Sequence, residues 1–117
     1  MNIYDTAHRL AQEIRSSDEC VRLRQLRDAA MSDETNRLLL AEYKRLQLQL
    51  QMSMVGAAGE MPSDDMKRFQ QLASLLYMNN DVQAYLMAEM QMQKTMGDIF
   101  KILTDAAGVS FDLPEHA

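Results

Sequence analysis

Apolar side chains recur along this chain at steps of three and four, the period of one face of an α-helix, from the first residues almost to the last. Over residues 2–16, Ile3, Ala7, Leu10, Ala11 and Ile14 share a face and predict a first helix. The Ser16-Ser17-Asp18 cluster interrupts it, and either serine can cap a second helix by accepting an orphan amide hydrogen. Val21, Leu23, Leu26, Ala29 and Ala30 carry the pattern on to about residue 31. Ser32, followed by Asp33 and Glu34 where the helix dipole favours acids, signals a third start. Residues 32–55 then read as one long helix: Leu39, Tyr43, Leu46 and Leu50 step by four, three and four, and Leu38, Leu48 and Met52 widen the stripe.

Gly56, Gly59 and Pro62 fall within one short segment, which places the main reversal at 56–62. Ser63 is the expected cap of a helix over 63–79, with Met66, Phe69, Leu72, Ala73 and Leu76 on its buried face. A short connection of this kind makes the neighbouring helices antiparallel. Asn80 and Gln83 resemble a capping box and open a long last helix over 80–107. Its seam runs Val82, Tyr85, Glu89, Met92, Met96, Ile99, Leu103, Ala106, with Glu89 the single interruption, and Leu86, Met90, Gly97 and Phe100 flank it. Gly108 is a natural stop, and the tail to residue 117 has Phe111 and Leu113 without helical period. The fold class is therefore all-α: a single domain over 1–117, with short amino-terminal helices (1–31) and long antiparallel helices forming a hairpin or bundle.

Two stretches carry more apolar surface than one neighbour can cover. In a helix, the strict Leu/Gln alternation from Leu46 to Met52 sets Leu48 and Met52 oblique to Leu46 and Leu50. Nine of the eleven methionines lie between Met52 and Met96, and Met87, Met90, Met92 and Met96 cannot all enter one small core. Methionine repacks readily against different surfaces, which suits it to adaptable binding faces. Association through helix faces is the expectation, as a homodimer or higher homo-oligomer, with Tyr43, Leu46, Leu48, Leu50, Met52, Tyr85, Met90, Met92, Met96 and Ile99 as interface candidates.

Composition narrows the picture. Four glycines and two prolines are too few for a turn-rich β fold. Net charge is −5, and the deficit sits in residues 46–117, with four basic and nine acidic side chains against eight of each in residues 1–45. Such a field repels nucleic acid and anionic membrane. The longest apolar runs are about four residues, far below the roughly 20 that span a bilayer, and the amino terminus lacks the apolar core of a secretory signal. One cysteine, Cys20, excludes an intramolecular disulfide framework. A cytoplasmic protein without membrane contact is expected.

Candidate chemistry is sparse. His8 and His116 are the only histidines, so the chain lacks the Glu-x-x-His pairs of di-metal bundles, and neither a metal nor another cofactor is expected. Gly56 and Gly59 have no following Lys-Ser/Thr and do not form a phosphate loop. Catalysis is not expected. Arg15, Arg22, Arg24, Arg27, Lys44 and Arg45 offer an alternative reading as a direct RNA-binding patch, but they alternate with Asp18, Glu19, Asp28 and Glu42, as a solvated face of ion pairs does.

The order of segments has a family likeness. Asn2-Ile3-Tyr4-Asp5, the Leu/Gln alternation of Tyr43 to Gln51, the glycine reversal, Asn79-Asn80-Asp81-Val82 with Tyr85-Leu86-Met87-Ala88-Glu89, Asp98-Ile99-Phe100-Lys101-Ile102 and the tail Val109-Ser110-Phe111-Asp112-Leu113 together resemble the YlbF/YmcA/YheA superfamily over about residues 2–113. The resemblance implies long antiparallel helices, oligomerisation and a regulatory, non-catalytic role. YlbF-type regulators act with YmcA and YaaT in competence, sporulation and biofilm control, through RNase Y-dependent RNA processing, whereas YheA-type members have no clear function. Iron–sulfur ligation, associated with the YlbF/YmcA/YaaT complex, needs several thiolates, and Cys20 alone cannot supply them, so no cluster is expected here.

Overall fold

A computed structural model describes residues 2–56 and 59–110. Those residues form five α-helices: α1 (Ile3–Ser16), α2 (Asp18–Met31), α3 (Glu34–Met54), α4 (Ser63–Tyr77) and α5 (Asn80–Ala107). No strand occurs among them. Phe111 and Leu113 of the tail lie outside the described residues.

Each helix begins where a short polar side chain can reach back to its first free amides, with one exception. Asn2, Ser17, Asp33 and Asn79 accept from the backbone N–H of Asp5, Cys20, Asn36 and Val82 respectively. Three caps differ from the sequence expectation by one residue. Asp33 takes the place of Ser32, whose hydroxyl instead donates to the Ala29 carbonyl at 2.7 Å and closes the last turn of α2. Asn79 takes the place of Asn80, and Pro62 precedes α4 without a side-chain cap, so that Ser63 is the first helical residue. Gly108 ends α5 in the left-handed conformation (φ 70°), which only glycine adopts without cost.

Helices α3 and α4 run antiparallel across the reversal. Tyr43 stacks on Phe69 with ring centroids 5.1 Å apart, Glu42 takes a bidentate pair of bonds from Arg68, and Gln49 donates to Asp65 at 3.2 Å. Helix α2 is the main neighbour of α5, and α1 touches chiefly α2. The core is a single cluster drawn from α2, α3, α4 and the first turns of α5: Ala30, Leu40, Tyr43, Leu46, Leu72, Leu76, Val82, Tyr85 and Leu86, with Met61 of the reversal closing one end. The Leu/Gln alternation divides as its helical reading requires, with Leu46 and Leu50 inward and Leu48 and Met52 outward.

The assembly of helices is thin and open. Its extents are 50 × 35 × 16 Å, scarcely two helix layers deep, and its radius of gyration is 17.0 Å, against about 13 Å for a compact chain of similar length. Helix α1 buries no residue, and α5 buries none beyond Leu86 although it continues for 21 more residues.

Candidate protein interface

The apolar face of α1 is its strongest sequence feature, and the chain leaves most of it uncovered. Ile3, Ala7, Leu10 and Ile14 lie in one stripe at steps of four, three and four. Ile3 remains 79% exposed and the neighbouring Tyr4 74%. Only the end of the stripe finds company: Leu10 and Ile14 line a shallow cleft of about 370 Å³ with Met92 and Thr95 of α5. Beside that cleft the Thr95 hydroxyl donates to Glu19 of α2 at 3.3 Å, which joins α5 to α2.

The distal part of α5 repeats the pattern. Lys94 pairs with Asp98 at 3.3 Å and Lys101 with Asp105 at 2.9 Å, each one turn apart. All four project from one side of the helix, which leaves the opposite side free of charge from Gln91 to Ala107. That side carries Met96, Ile99, Phe100 and Leu103, with Ile102 at its margin, and Leu103 is 53% exposed and Ile102 65%. Pairing the charges among themselves on one flank and omitting them from the other is how a helix marks a face for burial. Ile3 and Tyr4 add two more large exposed apolar side chains on α1. A specific interface covers about 800 Å² per partner, and clustered exposed apolar side chains of this kind mark such sites.

The ten residues expected at an interface fall into four places. Tyr43, Leu46 and Tyr85 are buried inside the chain itself, so their side chains have no free surface to give, and Leu50 packs against the same cluster. Helical periodicity marks the seam on which they lie but does not say whether the neighbour is α4 or another molecule. Leu48 and Met52 stand on the outer face of α3 and Met90 on the exposed side of α5. Met92 and Ile99 are half-buried and Met96 is exposed along the distal α5 stripe, so these three share the face just described. Ile3, Tyr4 and Ala7 complete the apolar surface and belonged to the expected first helix, but not to the expected interface. Their signal was the stripe's regularity in a segment otherwise rich in charge.

Glu89, the interruption in the α5 seam, has a partner 45 positions away. Lys44 of α3 donates to its Oε2 at 2.6 Å and to the Tyr85 hydroxyl at 2.7 Å, while Tyr85 donates to Glu89 at 2.9 Å. The ammonium also lies 4.8 Å from the centre of the Tyr85 ring. Partial burial works against the charged form of Lys44, but the bonds to Glu89 and Tyr85 together outweigh it and hold its pKa above the ordinary lysine value. Burial, the largest influence on Tyr85, raises its phenol pKa. The trio ties α3 to the upper part of α5 and marks where the packed region ends.

Of the amino-terminal basic residues, Lys44 is thus spent on Glu89, and Arg24 donates to Cys20 Sγ and to the Arg15 carbonyl. Among the described residues no cluster of three or more His, Cys, Asp or Glu is arranged to hold a metal ion, and no helix is long and apolar enough to cross a membrane.

These features define a class: a small all-helical protein whose organised surface is an apolar helix face. The chain belongs to the YlbF/YmcA family described as control of competence regulator ComK, whose sequence profile matches residues 3–106, and through it to the wider YlbF/YmcA/YheA superfamily. It is 36% identical over 104 residues to a UPF0342 protein of Halothermothrix orenii, covering 88% of this chain and 86% of that one. It is 27% identical over 103 residues to the UPF0342 protein YheA of Bacillus subtilis, covering 88% and 87%. Among solved structures, a protein of unknown function (DUF964) from Bacillus stearothermophilus superposes with a TM-score of 0.74 at 22% identity, over 91% of this chain and 92% of that one. The yheA protein of Bacillus subtilis superposes with a TM-score of 0.66 at 22% identity, over 92% and 97%. Both share the all-helical fold.

Proposed function

We propose that this chain is a non-catalytic regulatory protein that works as a homo-oligomer, two copies covering each other's α1 and distal α5 faces. The carrying observation is the charge-free side of α5 from Gln91 to Ala107, which the chain builds and does not bury. Membership of a family linked to control of competence supports a regulatory role. By resemblance to YlbF-type regulators, its protein partners are of the YaaT and YmcA kind, its effect on RNase Y is indirect, and its setting is cytoplasmic control of competence, sporulation or biofilm formation. The assembled copies form the surface those partners read. The relatives named UPF0342 mark the other branch, a YheA-like helical oligomer, in which the same self-association holds with a different output.

The test is the double variant Phe100→Glu, Leu103→Glu. Two carboxylates in a desolvated face would sit without counter-ions, a costly arrangement. Light scattering is expected to give a multiple of the chain mass for wild type and the single-chain mass for the variant, with unchanged helical circular dichroism. In a bacterium that carries the chain, the variant should fail to restore transformation frequency after deletion of the wild-type gene. A wild type that stays monomeric at tens of micromolar overturns the oligomer, and full complementation by a monomeric variant separates the regulatory role from it.

A further inference from the structure

A second face is unaccounted for, on the outer side of α3. Leu38, Ala41, Arg45, Leu48, Met52 and Val55 follow one another at steps of three, four, three, four and three, the spacing of a coiled-coil seam. All six are exposed, Leu38 by 63% and Leu48 by 58%, although Leu40, Tyr43 and Leu46 on the opposite side of the same helix are buried. The flanks of this seam are already satisfied: Glu42 is held by Arg68 on one side and Lys44 by Glu89 on the other. Arg45, in the middle of the stripe, has Glu42 as its electrostatic neighbour, and that carboxylate is committed to Arg68. On a chain of net charge −5 the seam is therefore a greasy stripe with a cation at its centre.

We infer that this seam docks one amphipathic helix of a different protein, with apolar residues at heptad spacing and a carboxylate placed to meet Arg45. A second copy of this chain does not fit. A parallel pairing would set Arg45 against Arg45. An antiparallel pairing centred on the stripe would leave the two guanidinium groups only about 4.5 Å apart along the axis, three residues at 1.5 Å each. The shifted register that sets Arg45 against Glu34, the acid one step before Leu38, would leave Leu48, Met52 and Val55 of both copies uncovered. A charged residue at a core position of a helical seam selects its partner in this way, excluding self-pairing and admitting the complementary sequence. The seam and the α1/α5 face are built from different residues, so this inference stands whether or not the chain self-associates.

The probe is a 21-residue peptide with leucine at its heptad core positions and glutamate at the position facing Arg45 and on both flanks; its control has lysine for each glutamate. Fluorescence anisotropy with the full chain is expected to show saturable micromolar binding of the acidic peptide and at least tenfold weaker binding of the lysine peptide. Arg45→Glu should reverse that order, and Leu48→Glu should weaken the acidic peptide at least tenfold. Both positions are exposed, and circular dichroism should find both variants folded. The Phe100→Glu, Leu103→Glu variant should keep the affinity within about twofold. Failure of the acidic peptide to saturate, an unreversed preference in Arg45→Glu, or loss of peptide binding in the α5 double variant overturns the inference. A change in the chain's own mass on Leu48→Glu, which would give the seam to a second copy, overturns it as well.

Discussion

Helix α5 passes through two environments along one unbroken rod of about 42 Å. In its first two turns Val82, Tyr85 and Leu86 are buried among α2, α3 and α4, and Asn79 caps the helix start. From Met96 onward the same three-and-four repeat continues, but no side chain is fully buried: Ile99 is half-buried, and Met96, Ile102 and Leu103 are exposed. The residue chemistry barely changes between the halves; what changes is the neighbour. Periodicity therefore specifies that a face is to be covered and leaves open by what, and the two halves separate stability of the chain from its capacity to associate.

The comparison breaks most sharply in the core. Leu46→Ala should cost about 3 kcal/mol of unfolding free energy, because the site is fully buried and the cavity cannot collapse without moving two helices. Leu103→Ala, the same chemical change in the outer half, should lower the unfolding free energy of dilute protein by less than about 0.5 kcal/mol. Urea titration at two protein concentrations measures both. Similar losses in dilute solution would mean the two halves are energetically one.

The Lys44–Tyr85–Glu89 trio sharpens the boundary between them. Glu89→Gln removes the anion and leaves a part-buried ammonium with weaker partners, an expected loss of about 1–2 kcal/mol, moderated because Lys44 is a third exposed. A pH dependence follows from the same contacts. Lys44 has its pKa raised in the folded chain, so its contribution is fully present below the ordinary lysine value of about 10.4 and is lost as pH rises through the folded value. Tyr85, also raised, acts in the same direction, since its neutral form is the folded one. Thermal midpoints should fall more steeply above pH 10 in wild type than in Tyr85→Phe, which removes the raised phenol and one of the bonds that raise Lys44. Equal slopes would remove the trio from the account.

Asn79→Ala should cost about 1 kcal/mol, since the side chain accepts from Val82 N–H at 3.1 Å at the start of the buried turns. Asn80→Ala should cost much less, and thermal melts of the two variants compare them directly. This pair shows what the sequence can and cannot resolve. Asn79 and Asn80 are both competent caps, as are Ser32 and Asp33, and adjacent residues of equal chemistry leave the boundary open by one position. The helices, the reversal and the inward turn of Leu46 away from Leu48 were legible because they rest on local period and turn chemistry. The partner of Glu89 was not, because it lies 45 residues away on a helix that is not a principal neighbour of α5. Tyr43, Leu46 and Tyr85 looked like interface residues for the same reason: a seam names its face and not the element that covers it.

The smallest effect tests whether the two halves of α5 unfold together. Gly97 lies in the middle of the helix with ordinary helical backbone, and a Cβ added there meets nothing within 4 Å. Gly97→Ala should therefore stabilise the helix locally by about 0.5–1 kcal/mol, by restricting the unfolded backbone and removing the glycine penalty. If the outer half opens separately from the core, hydrogen exchange in dilute protein should slow for amides near residues 93–104 by roughly two- to fivefold, while the global urea midpoint stays fixed. If α5 melts as one unit with the core, the midpoint must rise by the full increment instead, and the division between packed and uncovered halves loses its energetic meaning. At high protein concentration the sign can invert. Gly97 borders the Phe100 side of the exposed stripe, so a partner helix approaching closely there would meet the new methyl group, and a weaker oligomer together with a more stable monomer would locate the contact at this edge of α5.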